Sequence, residues 1–349
     1  MELTPTRIMK KINILYAMAL VSLASCKNND WEFPDFEFQS VYFAYQTPVR
    51  TVTLGEDIFD NSLDNQHKVK VMATTGGVYN NGKDIRIDFV VDNSLTNGLS
   101  YPNGQAVTAL PNNYYQLASN QINIPSGSLT GGVEVQLTDA FFADPKSLET
   151  YYVLPLRMTK VVNADSILSG KTSLRAANRA IVSDWDVAPK DFTFYALKYI
   201  NPWHGNYLRR GTDQIVGKGA NNSLTKNIVR HQAYVEKDEV KSVTTAALKK
   251  SILPLSFKGA DDVNINVNLN LTFDDDNNCS ISSASAGISA TGTGKFVKRG
   301  EKNSWGNADR DALYLSYTID MTQMSVTSKD TLVMRDRSVK METFTPIKK

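Results

Sequence analysis

Apolar and polar residues alternate without a break in Val263-Asn264-Ile265-Asn266-Val267-Asn268-Leu269-Asn270-Leu271-Thr272-Phe273. Successive side chains of a β-strand point to opposite faces of its sheet, so the apolar residues here share one face and the polar residues the other. This pattern predicts an antiparallel strand with one buried face and one face in water. The following run of Asp and Asn at 274–278 predicts a tight connection to the next strand.

The same period of two recurs along the chain and predicts an all-β protein. In the first half, short alternating runs separated by Gly, Pro and Asn indicate an immunoglobulin-like β-sandwich. These runs are 40–45, 68–72, 84–91, 121–124, 132–137 and 152–159, with one helix-like piece at 139–149. The second half predicts an antiparallel meander that closes into a lipocalin-like barrel or a strongly curved sheet. Its runs are 192–200, 263–273, 295–299, 312–319 and 330–335, while 242–251 fits either a helical turn or a strand.

A change of character at residues 171–190 predicts a boundary between two domains. The segment Asp184-Trp185-Asp186-Val187-Ala188-Pro189 interrupts the alternation, which then restarts at Phe192. A chain of this length is long for a single core and sufficient for two. We therefore expect a sandwich domain at 38–183 and a barrel-like domain at 186–349, the latter beginning with the run 192–200.

The beginning of the chain has the shape of a secretory signal that ends on a cysteine. Lys10 and Lys11 precede an apolar run at 12–23, and Leu23-Ala24-Ser25-Cys26 follows. This arrangement resembles a bacterial lipoprotein signal, with residues 1–25 removed, a lipid on Cys26 and a tether at 26–37. The alternative is a short membrane anchor, but about a dozen apolar residues are too few to span a bilayer core. The lipid is then the expected membrane attachment.

Composition and missing motifs exclude several classes of function. The segment before Cys26 contains three basic residues and one acidic residue, so 35 of each remain, which gives no electrostatic basis for nucleic-acid binding. Cys279 has no second cysteine to pair with after lipidation, and the three histidines lie far apart in sequence, so we expect neither a metal site nor a cofactor. Neither a Walker A motif nor a nucleophile elbow occurs. We therefore expect a protein that is not an enzyme.

Two aromatic clusters rich in Gly, Asn and charge are the candidate ligand sites. A Trp in such a cluster can stack on a sugar ring while Asn, Asp and Arg bond the hydroxyl groups. The candidates are Trp203, His204 and Tyr207 in 199–211, and Trp305, Asn307, Asp309 and Arg310 in 298–310. The alternative is that both Trp side chains pack inward and close the ends of the barrel, since large aromatic residues are mostly buried.

Longer motifs resemble a family of two-domain Bacteroidetes lipoproteins. Residues 41–43, 113–115, 122–128 and 152–158 are similar to the DUF1735 domain, and residues 198–205, 207–211, 304–307 and 330–337 to the DUF4361 domain. The resemblance implies a glycan-binding lipoprotein of a polysaccharide-utilisation system, on the outer membrane and facing the cell exterior. It implies a polysaccharide or oligosaccharide ligand and SusC/SusD-like transporter components as partners. A structural or adhesive lipoprotein that binds partner proteins is one alternative, and a glycoside-active enzyme with paired carboxylates is another.

The lipoprotein assignment predicts that Cys26 is the residue that holds the protein on the membrane. Replacing Cys26 by Ala removes the thiol that accepts the lipid, so the Cys26→Ala variant should leave the membrane fraction. Cell fractionation and detergent phase partitioning measure this, with Cys279→Ala as the matched control that stays on the membrane. Retention of Cys26→Ala in the membrane fraction would contradict the assignment.

Overall fold

The computed structural model describes residues 38–349, so the predicted signal segment 1–25, Cys26 and the tether 26–37 lie outside the described residues. Strands make up 52% of the structure and helices 11%, which confirms the prediction of an all-β protein. Among the described residues, no helix is both long enough and apolar enough to cross a membrane.

The strands are short in the N-terminal part and long in the C-terminal part. The first twelve are β1 (Ser40–Tyr42), β2 (Pro48–Thr53), β3 (Lys68–Gly76), β4 (Ile85–Val91), β5 (Leu99–Ser100), β6 (Thr108–Ala109), β7 (Tyr115–Leu117), β8 (Gln121–Ile124), β9 (Thr130–Leu137), β10 (Tyr152–Val162), β11 (Ser166–Ile167) and β12 (Phe192–Ile200). The others are β13 (Gly205–Gly217), β14 (Lys226–Arg230), β15 (Glu239–Ala247), β16 (Lys250–Lys258), β17 (Asn264–Phe273), β18 (Asn278–Ser283), β19 (Ser289–Glu301), β20 (Arg310–Asp320), β21 (Met324–Asp336), β22 (Glu342–Thr343) and β23 (Ile347–Lys348).

The helices of the described residues are single turns or little more. The α-helices are α1 (Ser62–Asn65) and α2 (Asp139–Ala143). The 3-10 helices are Asn93–Thr96, Asn112–Tyr114, Pro145–Leu148, Val182–Asp184, Gly219–Leu224, Val235–Lys237 and Trp305–Asn307. The helix predicted at 139–149 therefore forms as two short pieces, α2 and the 3-10 helix that follows it.

Two large sheets of the described residues form the N-terminal part, which confirms the predicted sandwich. One sheet has the order β11-β1-β3-β9-β7, and the other has the order β22-β2-β12-β10-β4-β8. Apolar side chains of both sheets form one buried core, with Val41, Ile87 and Leu154 fully buried within it. Phe192 and Phe194 of β12 belong to a second, smaller core. The second sheet is therefore covered on both faces.

Strand β12 belongs to the sandwich, so the expected assignment of residues 192–200 to the C-terminal domain is wrong. It pairs in parallel with β2 and antiparallel with β10, and seven of its nine residues are buried. Because both faces of β12 are buried, apolar and polar residues do not alternate along it, and its sequence does not show which sheet it joins. The chain leaves this sheet only after Ile200.

The end of the chain also returns to the sandwich, although the prediction assigned all of residues 186–349 to the barrel-like domain. Strand β22 pairs antiparallel with β2, and β23 pairs antiparallel with β5. Between them, the ring of Phe344 lies 5.2 Å from the ring of Tyr101. The barrel strands thus occupy 205–336, between two segments that belong to the sandwich. Separate folding of the two parts stays a prediction.

Eight strands close into the predicted barrel because β13 pairs with β15 on one side and β21 on the other. Alternating side chains point inward and fill the interior, among them Val267, Leu269 and Leu271 of the stretch 263–273. Gly294 faces Leu315 across the ladder, where a Cβ would lie 2.5 Å from the Leu315 side chain. The barrel of the described residues is therefore packed, with glycine where the side chain of Leu315 on the neighbouring strand leaves no room for a Cβ.

The barrel interior also contains a buried group of paired charges. Arg209 Nε donates to Asp330 Oδ2 at 2.9 Å, and the Tyr317 hydroxyl donates to the same oxygen at 2.6 Å. Arg230 donates to the other Asp330 oxygen at 2.5 Å and to Asp213 at 3.0 Å. Charges can be buried in this way because opposite signs are paired and hydrogen-bonded.

The buried guanidinium of Arg337 joins the two parts. It donates to the carbonyl oxygens of Leu54 at 2.9 Å and Glu56 at 2.7 Å in the loop after β2. It also donates to Asn201 at 2.8 Å and His204 at 2.8 Å in the connection between β12 and β13. We call Arg337 and these four carbonyl groups the Arg337 clamp. The clamp links the sandwich, the connection and the end of β21 at one point.

Removing the Arg337 guanidinium should destabilise the fold strongly. The variant Arg337→Met leaves four carbonyl groups without their donor in a buried position, and each such loss costs about 1–3 kcal/mol. Because water can relieve part of the loss, we expect the free energy of unfolding to fall by roughly 3–5 kcal/mol in total. Urea denaturation measures this.

The neighbouring Arg335 offers a matched control, since its side chain is 54% exposed and its contact with Asp336 is 3.7 Å long. The variant Arg335→Met should change stability by no more than about 0.5 kcal/mol. Equal effects of the two substitutions would show that the clamp does not join the two parts.

Candidate functional site

A cleft of about 650 Å³ lies where the sandwich and the barrel meet. One wall is the loop at residues 55–61, which we call the Phe59 loop. The opposite wall is the segment 299–311, the connection between β19 and β20 with the adjoining strand ends, which we call the Trp305 loop. Residues 334–339, at the end of β21, complete the lining. Three of the predicted site residues, Trp305, Asp309 and Arg310, line this cleft.

The Phe59 loop has a fixed base and an exposed tip. The Asn61 side-chain amide donates to the carbonyl oxygens of Thr53 at 2.8 Å and Gly55 at 2.7 Å. Gly55 has φ +88, and a Cβ there would lie 2.8 Å from the Cβ of Pro202, so only glycine fits. At the tip, Ile58 is 87% exposed and Phe59 is 75% exposed. The loop therefore presents an aromatic ring to water at the edge of the cleft.

The Trp305 loop is held in a strained backbone conformation by two carboxylates. Arg299, Asn303 and Asn307 have φ values of 51, 45 and 53, in the left-handed region that is costly for residues other than glycine. The backbone N–H of Arg299 donates to Asp311 at 2.8 Å, and that of Asn303 donates to Asp309 at 3.0 Å. Strain of this kind is found at ligand sites more often than elsewhere.

Trp305 is partly buried, and both its indole N–H and one face of its ring have partners within the protein. Its Nε1 donates to the Met334 carbonyl oxygen at 3.1 Å. The guanidinium of Arg310 lies 3.5 Å from the ring centroid, and Arg310 Nε donates to the Trp305 carbonyl oxygen at 3.1 Å. One face of the indole is thus covered by a cation–π contact within the protein. Asn307 is exposed on the same loop but does not line the cleft.

Trp203 and Tyr207 are part of the barrel core, so their interpretation as ligand platforms is wrong. Trp203 is 5% exposed and stacks on Phe273 with a centroid distance of 3.8 Å. Tyr207 is fully buried, and its hydroxyl donates to the Trp203 carbonyl oxygen at 2.8 Å. The cluster 199–211 is not one loop, because β12 ends at Ile200 and β13 begins at Gly205. The inward packing considered from sequence is what Trp203 does.

His204 lies at the junction and not in the cleft lining. Its Nδ1 accepts a hydrogen bond from the Thr245 N–H at 3.1 Å, and its carbonyl oxygen is part of the Arg337 clamp. Burial, with the nearby charges of Arg337 and Lys198, lowers the pKa of His204 to about 4. The imidazole is therefore neutral at pH 7, and the contacts of His204 hold the fold together at the junction.

The carboxylates of the cleft are mostly held by cations or backbone N–H groups. Glu56 pairs with Lys298 at 2.7 Å, and this hydrogen bond is the largest cause that lowers the pKa of Glu56. Lys302 pairs with Asp309 at 2.9 Å and likewise lowers its pKa. Within residues 38–349, no group of three or more His, Cys, Asp or Glu side chains is arranged to hold a metal ion.

One solved structure is similar over almost the whole chain. It is the crystal structure of a Bacteroides ovatus protein of unknown function, which is 44% identical and has a TM-score of 0.85. The match covers 90% of this chain and 100% of the other. The chain belongs to the same family as that protein. This similarity supports the fold described above and leaves the function open.

Other comparisons refine the domain assignment. A model of the domain of unknown function DUF5627 matches residues 202–338, and a model described as an N-terminal domain matches residues 36–165. The limits of the DUF5627 match agree with the barrel. The comparisons do not show DUF1735 or DUF4361, which the sequence motifs resemble. A second Bacteroides ovatus structure, of a protein proposed to bind carbohydrate, is 11% identical with a TM-score of 0.24 over 87% of this chain and 98% of its own. That score is too low to support an argument about this chain. No curated protein matches.

The different positions of the two Trp residues predict different stability losses. Trp203→Ala opens a cavity in the barrel core and should lower the free energy of unfolding by about 3–5 kcal/mol. Trp305→Ala removes a hydrogen bond and a cation–π contact near the surface and should cost about 1–2 kcal/mol. Chemical denaturation of both variants measures the difference. A smaller loss for Trp203→Ala than for Trp305→Ala would be incompatible with the structure.

Proposed function

We propose that this protein is a non-catalytic, lipid-anchored glycan-binding protein on the outer membrane, facing the cell exterior. It would act in a polysaccharide-utilisation system beside SusC/SusD-like transporter components, as the sequence resemblance implies. The lipoprotein signal at Cys26 supports the location. The observation that carries the binding function is the cleft between the two loops, with the exposed ring of Phe59 at its edge.

The lining of the cleft matches the surface of a sugar. A pyranose ring has an apolar face, which stacks on an aromatic side chain, and a rim of hydroxyl groups that both donate and accept hydrogen bonds. Phe59 supplies an aromatic ring, and the guanidinium groups of Arg299 and Arg310 supply donors. Asp57 and Asp60 on the Phe59 loop supply acceptor oxygens. The cleft can therefore contact both parts of a sugar.

Phe59 is a better platform than Trp305, the aromatic residue that sequence reasoning favoured. The Arg310 guanidinium covers one face of Trp305, and the indole N–H is already bonded to Met334. The Phe59 ring is 75% exposed on a loop whose base is tied by Asn61. A rigid loop reduces the entropy lost on binding, so an exposed ring there is favourable for a ligand.

The contacts of the carboxylates support a binding function over a glycosidase. A glycosidase needs one carboxyl group to transfer a proton and a second to act as nucleophile or base. Asp309 and Asp311 each accept a backbone N–H of the Trp305 loop, and Asp64 is held by Arg50 and the Thr53 N–H. These groups hold the walls of the cleft in place.

Binding of a partner protein is the second candidate function. Ile58 and Phe59 are adjacent and exposed, and Met341 is 71% exposed in the segment after β21. Exposed apolar residues that adjoin one another can mark a protein contact. A glycan would require Phe59 more than Ile58, because aliphatic side chains offer no ring for stacking.

Replacing Phe59 should therefore weaken glycan binding without unfolding the protein. The Phe59→Ala variant loses the stacking surface, and we expect an affinity loss of roughly 1–3 kcal/mol with an unchanged melting temperature. Affinity electrophoresis of the full chain in detergent, on gels that contain polysaccharides, measures the binding.

Two matched controls separate the candidate functions. Tyr234→Ala removes a ring that is 61% exposed outside the cleft and should leave binding unchanged. Ile58→Ala should reduce glycan binding less than Phe59→Ala does. If Phe59→Ala binds every retained polysaccharide as tightly as the wild type, the cleft is not the glycan site.

A further inference from the structure

The charges that line the cleft balance one another. Seven carboxylates and five arginines are among the described lining residues, and two lysines at the edge pair with two of these carboxylates. The formal charge of the cleft with its two edge lysines is therefore zero. The Phe59 loop carries only carboxylates, whereas the Trp305 loop and the end of β21 carry both signs.

Among the groups that line the cleft, equal numbers of cations and carboxylates have no ion-pair partner. Arg50 pairs with Asp64, and Arg335 lies 3.7 Å from Asp336. Among the described residues that line the cleft, the guanidinium groups without a carboxylate within 4.0 Å are those of Arg299, Arg310 and Arg337, and the carboxylates without a cation within that distance are those of Asp57, Asp60 and Asp311. Because the clamp uses the guanidinium of Arg337, Arg299 and Arg310 are the donors offered beside these acceptors. Neither charge is in excess.

Longer-range interactions also place acidic groups near two of these unpaired arginines. Burial lowers the pKa of Arg337, while the charges of Tyr207, Asp57 and Asp311 act in the opposite direction. Arg299 contributes to the lowered pKa of Glu56, where the Lys298 hydrogen bond is the largest cause, and to that of Asp309. Arg337 and Arg299 thus both have acidic neighbours within electrostatic range.

An anionic ligand would meet carboxylates on both loops, and like charges in a partly enclosed cleft repel. A uronic acid or sulfate group is recognised by an excess of Arg or Lys, which this cleft lacks. A hydroxyl group donates one hydrogen bond and accepts others, so it can bond to a carboxylate and a guanidinium at the same time. The mixed lining therefore suits uncharged groups that both donate and accept hydrogen bonds, such as the hydroxyl groups of a sugar.

We propose that the cleft selects uncharged oligosaccharides and excludes uronate-containing and sulfated ones. This inference rests on the proposed function, since it specifies the ligand of the same site. Asp57 and Asp60 are the residues that set the selectivity, because they stand without cations beside the Phe59 platform. They act on the ligand by repelling anions and by accepting hydrogen bonds from hydroxyl groups.

The first experiment compares polysaccharide classes. The full chain in detergent is run on affinity gels that contain neutral mannan or galactan, a polyuronate, or heparin, at about 0.05 M and about 0.5 M NaCl. We expect retention by a neutral polysaccharide that changes by less than about two-fold with salt, since no net charge is neutralised on binding. Retention only by polyuronate or heparin, lost at high salt, would overturn this inference and leave the proposed glycan-binding function standing. Absence of retention by any polysaccharide would instead count against the proposed function.

The second experiment changes the charge of the cleft. The double variant Asp57→Asn, Asp60→Asn keeps an oxygen that can accept the Ile58 and Ser62 backbone N–H groups but raises the charge by two. It should gain retention by heparin at low salt by about five-fold or more. Its control, Asp261→Asn with Asp262→Asn, makes the same charge change in an exposed turn outside the cleft and should gain none. Equal gains in both variants, or no gain in either, would overturn the role of Asp57 and Asp60.

Discussion

The Arg337 clamp is the interaction on which the arrangement of the two parts depends. One guanidinium donates to carbonyl groups of Leu54, Glu56, Asn201 and His204, so it contacts the sandwich and the connection while its own backbone ends strand β21. Within residues 38–349 no carboxylate is bonded to it, and its charge is stabilised by carbonyl dipoles and by the fields of acidic neighbours. Four of the five guanidinium N–H groups are used in this way, which offsets the large cost of burying a charge that has no ionic partner.

The cleft follows from this clamp because both of its walls are attached near Arg337. The Phe59 loop begins at the carbonyl groups that the clamp holds, and Trp305 donates to the Met334 carbonyl three residues before Arg337. Carboxylates fix the strained backbone of the Trp305 loop, and asparagines fix the base of the Phe59 loop. The site is thus formed before a ligand arrives, which reduces the ordering cost of binding. Selectivity then comes from charges that are fixed in place.

Sequence reasoning succeeded where one face of a strand is buried and the other is wet. The alternation at 263–273 marks β17 to within one residue, and the runs at 121–124 and 192–200 match β8 and β12. It failed where burial on both faces removes the alternation, so β12 was found as a strand but placed in the wrong part of the chain. The segment 242–251, left undecided, forms the β15–β16 hairpin. One wall of the site could be predicted, because Trp305, Asp309 and Arg310 lie in one segment of sequence. The other could not, because Phe59 lies some 240 residues away and only the fold brings it to the same cleft. An apolar pair between acidic residues, Asp57-Ile58-Phe59-Asp60, was the available signal.

The central claim is that a glycan binds between the Phe59 loop and the Trp305 loop. Hydrogen–deuterium exchange of the full chain, with and without the neutral oligosaccharide that it retains best, tests this claim directly. The structure predicts that added oligosaccharide slows exchange in residues 55–61 and 299–311, while the barrel strands distant from the cleft stay unchanged. Slower exchange confined to another surface, with both loops unaffected, would contradict the account.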